Sequence, residues 1–278
     1  MIILVLLAGL FIYQTSIIKV VSAVLHRKDS GHGVFVPFIS LYFLWLKRAD
    51  FKKLEAKYNC WGIFLVIIGL FSPLSGIGTF HLQFLGFIIF LAGLVYVLFG
   101  KEVFRNAMFP IFFLITMIPI PVDLRAFIAS ILRHISFFGS TNIISLLGIP
   151  HFKNGWLIQF PNATLEVANN CSGIRYLTSF VVFGLAYAWL SRDTLQGRLL
   201  LVALTIPVSI FANICRLVAI FLMVYIFGPY MAEPQPHNLI GWSVFSVVLI
   251  ACITADQYFQ KRRFVRKIGC QEARTMGG

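Results

Sequence analysis

The stretch RLLLVALTIPVSIFANICRLVAIFLMVYIF, residues 198–227, decides the fold. It carries Arg198 at one end and Arg216 inside, and no acidic residue. Wound as an α-helix it would be about 45 Å long, more than the roughly 30 Å of a bilayer's hydrocarbon core. Seven further apolar segments flank it, at about 2–25, 34–46, from 61 into a turn region at 72–79, 82–99, 107–120, 171–190 and 237–255. Hydrophobic residues make up 59% of the 278 positions, charged residues 12%, and the mean hydropathy is +0.88. A soluble domain of this length would need more polar surface to cover its core. No run alternates apolar and polar with period two, which excludes an outer-membrane barrel. The expectation is an all-α polytopic membrane protein with about eight transmembrane helices, read as a single domain over 1–278.

The formal net charge is +13, but its placement argues against nucleic acid. Basic residues sit in the short segments between apolar runs. Fifteen of them, from Lys47–Lys57, Lys101, Arg105, Arg192, Arg198 and the basic tail within 256–278, fall on one side of the predicted topology. Five, Arg27, Lys28, Arg125, Arg133 and Lys153, fall on the other. Positive charge is retained on the cytoplasmic side, so both termini are expected there. The N-terminal MIILVLLAGLFIYQ has no basic n-region or clear cleavage site and reads as a retained first helix.

Residues 123–170 are then extracytoplasmic. Leu124, Phe127, Ile128, Ile131, Leu132 and Ile135 share one helical face, interrupted by Arg125, Arg133, His134 and Ser136. That pattern predicts a helix lying in the membrane interface. Asn154-Gly155 and Pro161-Asn162 punctuate short runs after it, which suits a small hairpin cap.

Three side chains reach one depth on consecutive helices. Cys171 opens the sixth segment at its outer end, and His237 opens the eighth, also outside. Arg216 lies about 27 Å along the seventh from its cytoplasmic start, at about 1.5 Å per residue. A thiolate is the reactive form of cysteine, and an adjacent guanidinium stabilises it or an oxyanion. A histidine takes and returns the proton. Together these are the parts of acyl transfer through a thioester. Taken singly, a helix-end cysteine is more often structural, and His237 follows Pro234 and Pro236 as an ordinary helix start. An intramembrane arginine is costly and marks function by default. Glu166 is a possible partner of Arg216 or of Arg175. His26 and His32 lie outside between the first two segments, and His134 and His151 read as interfacial polar residues. The five cysteines, Cys60, Cys171, Cys215, Cys252 and Cys270, show neither metal-ligand nor disulfide spacing, so no cofactor or metal is expected.

The residues also resemble a family. LEVANNCSGIR at 165–175 is similar to the exosortase/archaeosortase signature around its catalytic cysteine. NICR at 213–216 resembles the Asn-x-x-Arg motif, and HNLIGWSVF at 237–245 the histidine motif. HGVFVPFIS at 32–40 resembles the N-terminal His-Gly segment, and Leu147 to Pro150 with Pro161-Asn162 the loop before the cysteine. Asn170 departs from the small residue common before the cysteine, and Cys215 beside the arginine is a second departure.

The resemblance implies a membrane cysteine protease/transpeptidase of the inner membrane, with its site facing the periplasm. It would cut C-terminal tripartite sorting tails of membrane-anchored proteins, typically bearing Pro-Glu-Pro, and pass the protein to a surface, polysaccharide or lipid acceptor. Cys171 is then the nucleophile, Arg216 its electrostatic partner and His237 the proton carrier, with Arg175 and Asn213 supporting. An arginine–cysteine pair with histidine acting only on the leaving amine remains a second assignment. A lateral opening between helices, roofed by 123–170, should admit the tail. The competing readings are a transporter with Arg216 and His237 along a polar path, and a non-catalytic scaffold in polysaccharide or protein export.

Overall fold

The computed structural model describes residues 2–26, 30–55, 57–75, 79–168 and 171–275, with side chains of 2–8, 72–75 and 262–275 left out. Arg27, Lys28 and Asn170 lie outside the described residues, as do the side chains of Arg262, Arg263, Arg266, Lys267, Cys270 and Arg274. The fold is mostly helical and falls into two compact units, Met1–Arg125 and Ala126–Gly278. Among the described residues six helices are long and apolar enough to cross a membrane, and the chain is a multi-pass membrane protein. Large apolar side chains such as Phe11, Phe64, Leu199 and Trp242 face outward, as a lipid-facing surface requires.

The first unit contains α1 (Ile2–His26), α2 (Val36–Leu46), the single turn α3 (Arg48–Phe51), α4 (Trp61–Ser75) and α5 (Phe80–Phe113). Glycines let its helices approach closely. A Cβ on Gly69 would stand 2.7 Å from the Phe90 backbone nitrogen, and one on Gly62 2.5 Å from that of Val97. Tyr13 donates to the Gly69 carbonyl at 2.5 Å and Ser16 to Gln83 at 2.7 Å, which ties α1 to the same hairpin.

The predicted fourth and fifth segments form the two limbs of α5, which are separated by a kink at Gly100, non-helical at φ 79, ψ −175. Contacts on either side show that the chain turns back there. Val97 accepts from Asn59 at the start of α4, while Lys47 reaches Asn106 and Ser40 bonds the Pro110 carbonyl. The 3-10 turn Leu114–Met117 then meets the turn Gly31–Val34, beside Val24 at the end of α1. That is also the end at which Phe80 begins, since Ser16 of α1 pairs with Gln83.

The second unit holds α6 (Val122–Leu146), a three-stranded antiparallel sheet, α7 (Ile174–Ser191), α8 (Leu195–Phe227) and α9 (Pro234–Thr275). Strands β1 (Phe152–Asn154), β2 (Leu157–Phe160) and β3 (Ala163–Glu166) pair in sequence order, so the expected hairpin is present. Gly155 takes φ 58 in the tight β1–β2 turn. The expected interfacial helix appears as α6, which is long and apolar enough to span, so composition alone does not confine it to the interface. Its polar face is turned inward: Ser136, Ser140 and Thr141 are fully buried, and the last two bond carbonyls one turn back.

The sheet packs on the C-terminal half of α8. Phe137, Ile144, Ile158, Phe160, Val167, Leu217 and Phe221 form one core cluster. The Asn162 amide donates to the Val224 and Tyr225 carbonyls, satisfying acceptors near the end of α8. A second cluster, Tyr176, Phe180 and Ala212 with Phe245 and Val248 against it, joins α7, α8 and α9. At the other end Arg192 pairs with Asp256, which also accepts from Tyr187 at 2.9 Å and Gln260 at 2.7 Å. α9 is therefore held near both ends of its apolar stretch, yet only 6% of that stretch is buried, against 39% in α7 and α8.

Candidate active site

Cys171 was expected to open a helix, but α7 starts at Ile174. Gly173 is its N-cap at φ 89, and Cys171 lies in the turn before it, its amide bonded to the Ala168 carbonyl at 2.9 Å. The thiol therefore stands ahead of the first helical turn. Gly173 serves two purposes: its left-handed backbone ends the turn, and its missing side chain leaves room for Asn213. A Cβ there would sit 2.6 Å from the Asn213 side-chain amide.

Asn213 and Arg216 are three residues apart on α8 and share a face. The Asn213 amide donates to the Cys171 carbonyl at 3.2 Å, and its oxygen accepts from Arg216 Nη1 at 3.4 Å. Arg216 Nη2 meets His237 Nε2 at 2.5 Å, and the same Nε2 is 3.6 Å from Cys171 Sγ. The contacts close a ring: Cys171, Asn213, Arg216, His237 and back to the thiol. Asn213 and Arg216 are buried, while Cys171 and His237 are half-buried, so the thiol is not sealed from its surroundings.

His237 stands in the first turn of α9, which begins three residues earlier than expected. Pro234 and Pro236 fit there because first-turn amides have no intrahelical acceptor. A guanidinium can only donate, so its contact requires Nε2 to accept and the ring to be neutral with its proton on Nδ1. The thiol, also a donor, addresses the same lone pair. Among the described residues no carboxylate pairs with Arg216 or His237, and Glu166, exposed on β3, bonds neither. The arrangement thus differs from a triad in which an acid orients the histidine.

Arg175 is half-buried in the first turn of α7 and makes no hydrogen bond to Cys171 or His237. Cys215, next to Arg216, faces an apolar groove. His134 packs edge-on against Trp156, whose face also carries the Arg133 guanidinium, and His151 bonds the Ile149 carbonyl. His32 lies in the first unit. No cluster of three His, Cys, Asp or Glu side chains among the described residues has metal-binding geometry.

A family model, transmembrane exosortase, matches the chain over residues 24–254. The chain belongs to this family. No curated protein and no solved structure matches it. The exosortase is thus a membrane protein of a sorting-enzyme family that acts on proteins bearing sorting signals. Sequence reasoning alone did not find Tyr176, nor what Gly241 of the histidine motif does beside it; both border the ring. The Tyr176 hydroxyl donates to the Gly241 carbonyl at 2.7 Å. The signal in the sequence was a tyrosine in an apolar run, a side chain whose hydroxyl needs a partner when buried.

Proposed function

We propose that this exosortase is a cysteine protease/transpeptidase that removes C-terminal sorting tails at the outer face of the inner membrane. The supporting observation is the meeting of the Cys171 thiol, the His237 imidazole and the Arg216 guanidinium around one nitrogen. The thiol passes its proton to His237 Nε2 as sulfur attacks the scissile carbonyl. Nε2 then becomes a donor and can no longer accept from Arg216. The guanidinium is released toward the forming anion, which it stabilises. Collapse of the tetrahedral intermediate breaks the C–N bond, and the leaving amine takes the proton from His237. An acceptor amine or water attacks the thioester and returns the thiol.

An apolar groove between α8 and α9 supports lateral entry of a tail. Its volume is about 820 Å³, and Phe211, Cys215, Ser243, Val247 and Ala251 line it. It adjoins the site through Cys215 and Ser243, on the two helices that carry Arg216 and His237. A substrate's own membrane helix, docked there, brings its outer flank to the thiol.

The test is processing of a co-expressed protein with a Pro-Glu-Pro tail by wild type and Cys171→Ala at matched membrane levels. Tail removal by wild type alone is expected. Equal processing by both would remove Cys171 from the chemistry.

A further inference from the structure

We propose that Tyr176 is a positioning residue that sets the Arg216 guanidinium against His237. The inference rests on the reading of Cys171, Arg216 and His237 as the working set. Tyr176 lies two residues into α7 and is buried, at 7% exposure. It makes two contacts that meet at the site from different helices. Its hydroxyl bonds the Gly241 carbonyl of α9, one turn beyond His237. Its ring lies 5.4 Å from Arg216 Cζ on α8, within the range over which a ring face attracts a cation.

Other observations fit a fixed guanidinium. Arg216 Nε is buried and has no hydrogen-bond partner among the described residues. The two outer nitrogens are taken by Asn213 and His237, so the tyrosine ring supplies a further attraction where no carboxylate is present. Gly241 makes the arrangement possible. A Cβ there would stand 3.0 Å from the Tyr176 oxygen and 3.3 Å from Arg216 Nε, tight enough to push both away. Phe245, 5.7 Å from Tyr176 and 4.8 Å from Phe180, backs the ring from α9. A tyrosine that only filled the core would need one partner for its hydroxyl. This one also faces the site's cation.

The two contacts divide the expected effects. Phenylalanine keeps the ring and loses the tie to α9, while leucine loses both. The readout is alkylation of Cys171 by iodoacetamide in the full-length protein, with Cys60, Cys215, Cys252 and Cys270 replaced by alanine. This rate follows the thiolate and needs no sorting substrate. Tyr176→Phe should slow it by about 3-fold and Tyr176→Leu by about 10-fold, given typical sizes for a hydrogen bond and a cation–ring contact.

Repeating both substitutions with Arg216→Ala decides between positioning and bulk. A residue acting through Arg216 loses its effect there, to within about 2-fold, whereas a packing role persists at full size. An equal slowing with and without Arg216, or no slowing in Tyr176→Phe and Tyr176→Leu, overturns the proposal. If Tyr176→Leu fails to accumulate, Tyr176→Phe with and without Arg216 separates the two roles by itself. Failure of tail processing in wild type would bear on the substrate reading and leave this comparison intact.

Discussion

Asn213 holds the Cys171 carbonyl with one end of its amide and Arg216 with the other, so it joins the nucleophile's turn to the cation's helix. Asn213→Asp would keep the shape and invert that logic. Its carboxylate would neutralise Arg216 at close range and face the Cys171 carbonyl with an acceptor where a donor stood. Tail removal should fall by about 100-fold or more, since a buried site loses a hydrogen bond and its cation's charge together. Tail-processing rates at matched membrane levels would show it; a variant within about 3-fold of wild type, less than the loss of one such hydrogen bond costs, would sink the role. At this scale the sequence was partly legible. Cys171, Arg216 and His237 were readable because helix spacing sets depth, and three unusual side chains coincided. Gly173 and Gly241 were not, because their importance lies in what a missing Cβ permits from another helix. The expectation that Cys171 began the helix missed because a left-handed residue two positions on cuts the helix short.

Gly100 carries the comparable lesson for elements. The run 82–99 and the run 107–120 were separable in the sequence by Lys101 and Arg105, and the helix breaks between them at a single residue, where the chain bends back. Its φ 79, ψ −175 is a region essentially reserved for glycine, and a Cβ would stand 2.3 Å from the Lys57 carbonyl oxygen. Gly100→Ala should therefore cost about 1–3 kcal/mol from backbone strain, with the contact to Lys57 adding to it. A lowered thermal midpoint in detergent, against an unchanged one for the exposed neighbour in Lys101→Ala, is the expected result. Equal midpoints would mean that the turn relaxes without cost. The long helices were legible for the opposite reason. α7, α8 and α9 carry long apolar runs, and their starts moved by only a few residues, where Pro234 and Gly173 set local rules that hydropathy does not see. α9 runs on to Thr275, about twenty residues past its expected end.

The direction of the whole chain across the membrane follows from where its cations lie. In the first unit Lys47 to Lys57 and Lys101 to Arg105 gather at one end, because Gly100 returns the chain beside the start of α4. In the second unit Arg192 and Arg198 mark the α7–α8 turn, at the end opposite the Cys171 turn. Positive residues are generally kept in the cytoplasm, which predicts that the thiol lies outside. The fold-back also places Met117 at the same end as Phe80, so residues just after it should be outside too. α6 meets Ile174 and Ile210 through Ala129 and Leu132, then Leu217 and Phe221 farther along. It thus follows the C-terminal half of α8 instead of running beside α7 to the Arg192 turn. Eight passes with α6 at the outer interface is the count this favours. A crossing by α6 would instead carry Pro121 to the cytoplasm. Phosphatase reporters fused after Pro121 and Gly155 should both be active, and those after Lys52, Lys101 and Asp193 inactive. An inactive Pro121 fusion beside an active Gly155 one would show that α6 crosses the bilayer and leave the site outside. An inactive Gly155 fusion would turn the site inward, and no substrate tail exposed at the outer face could then reach Cys171.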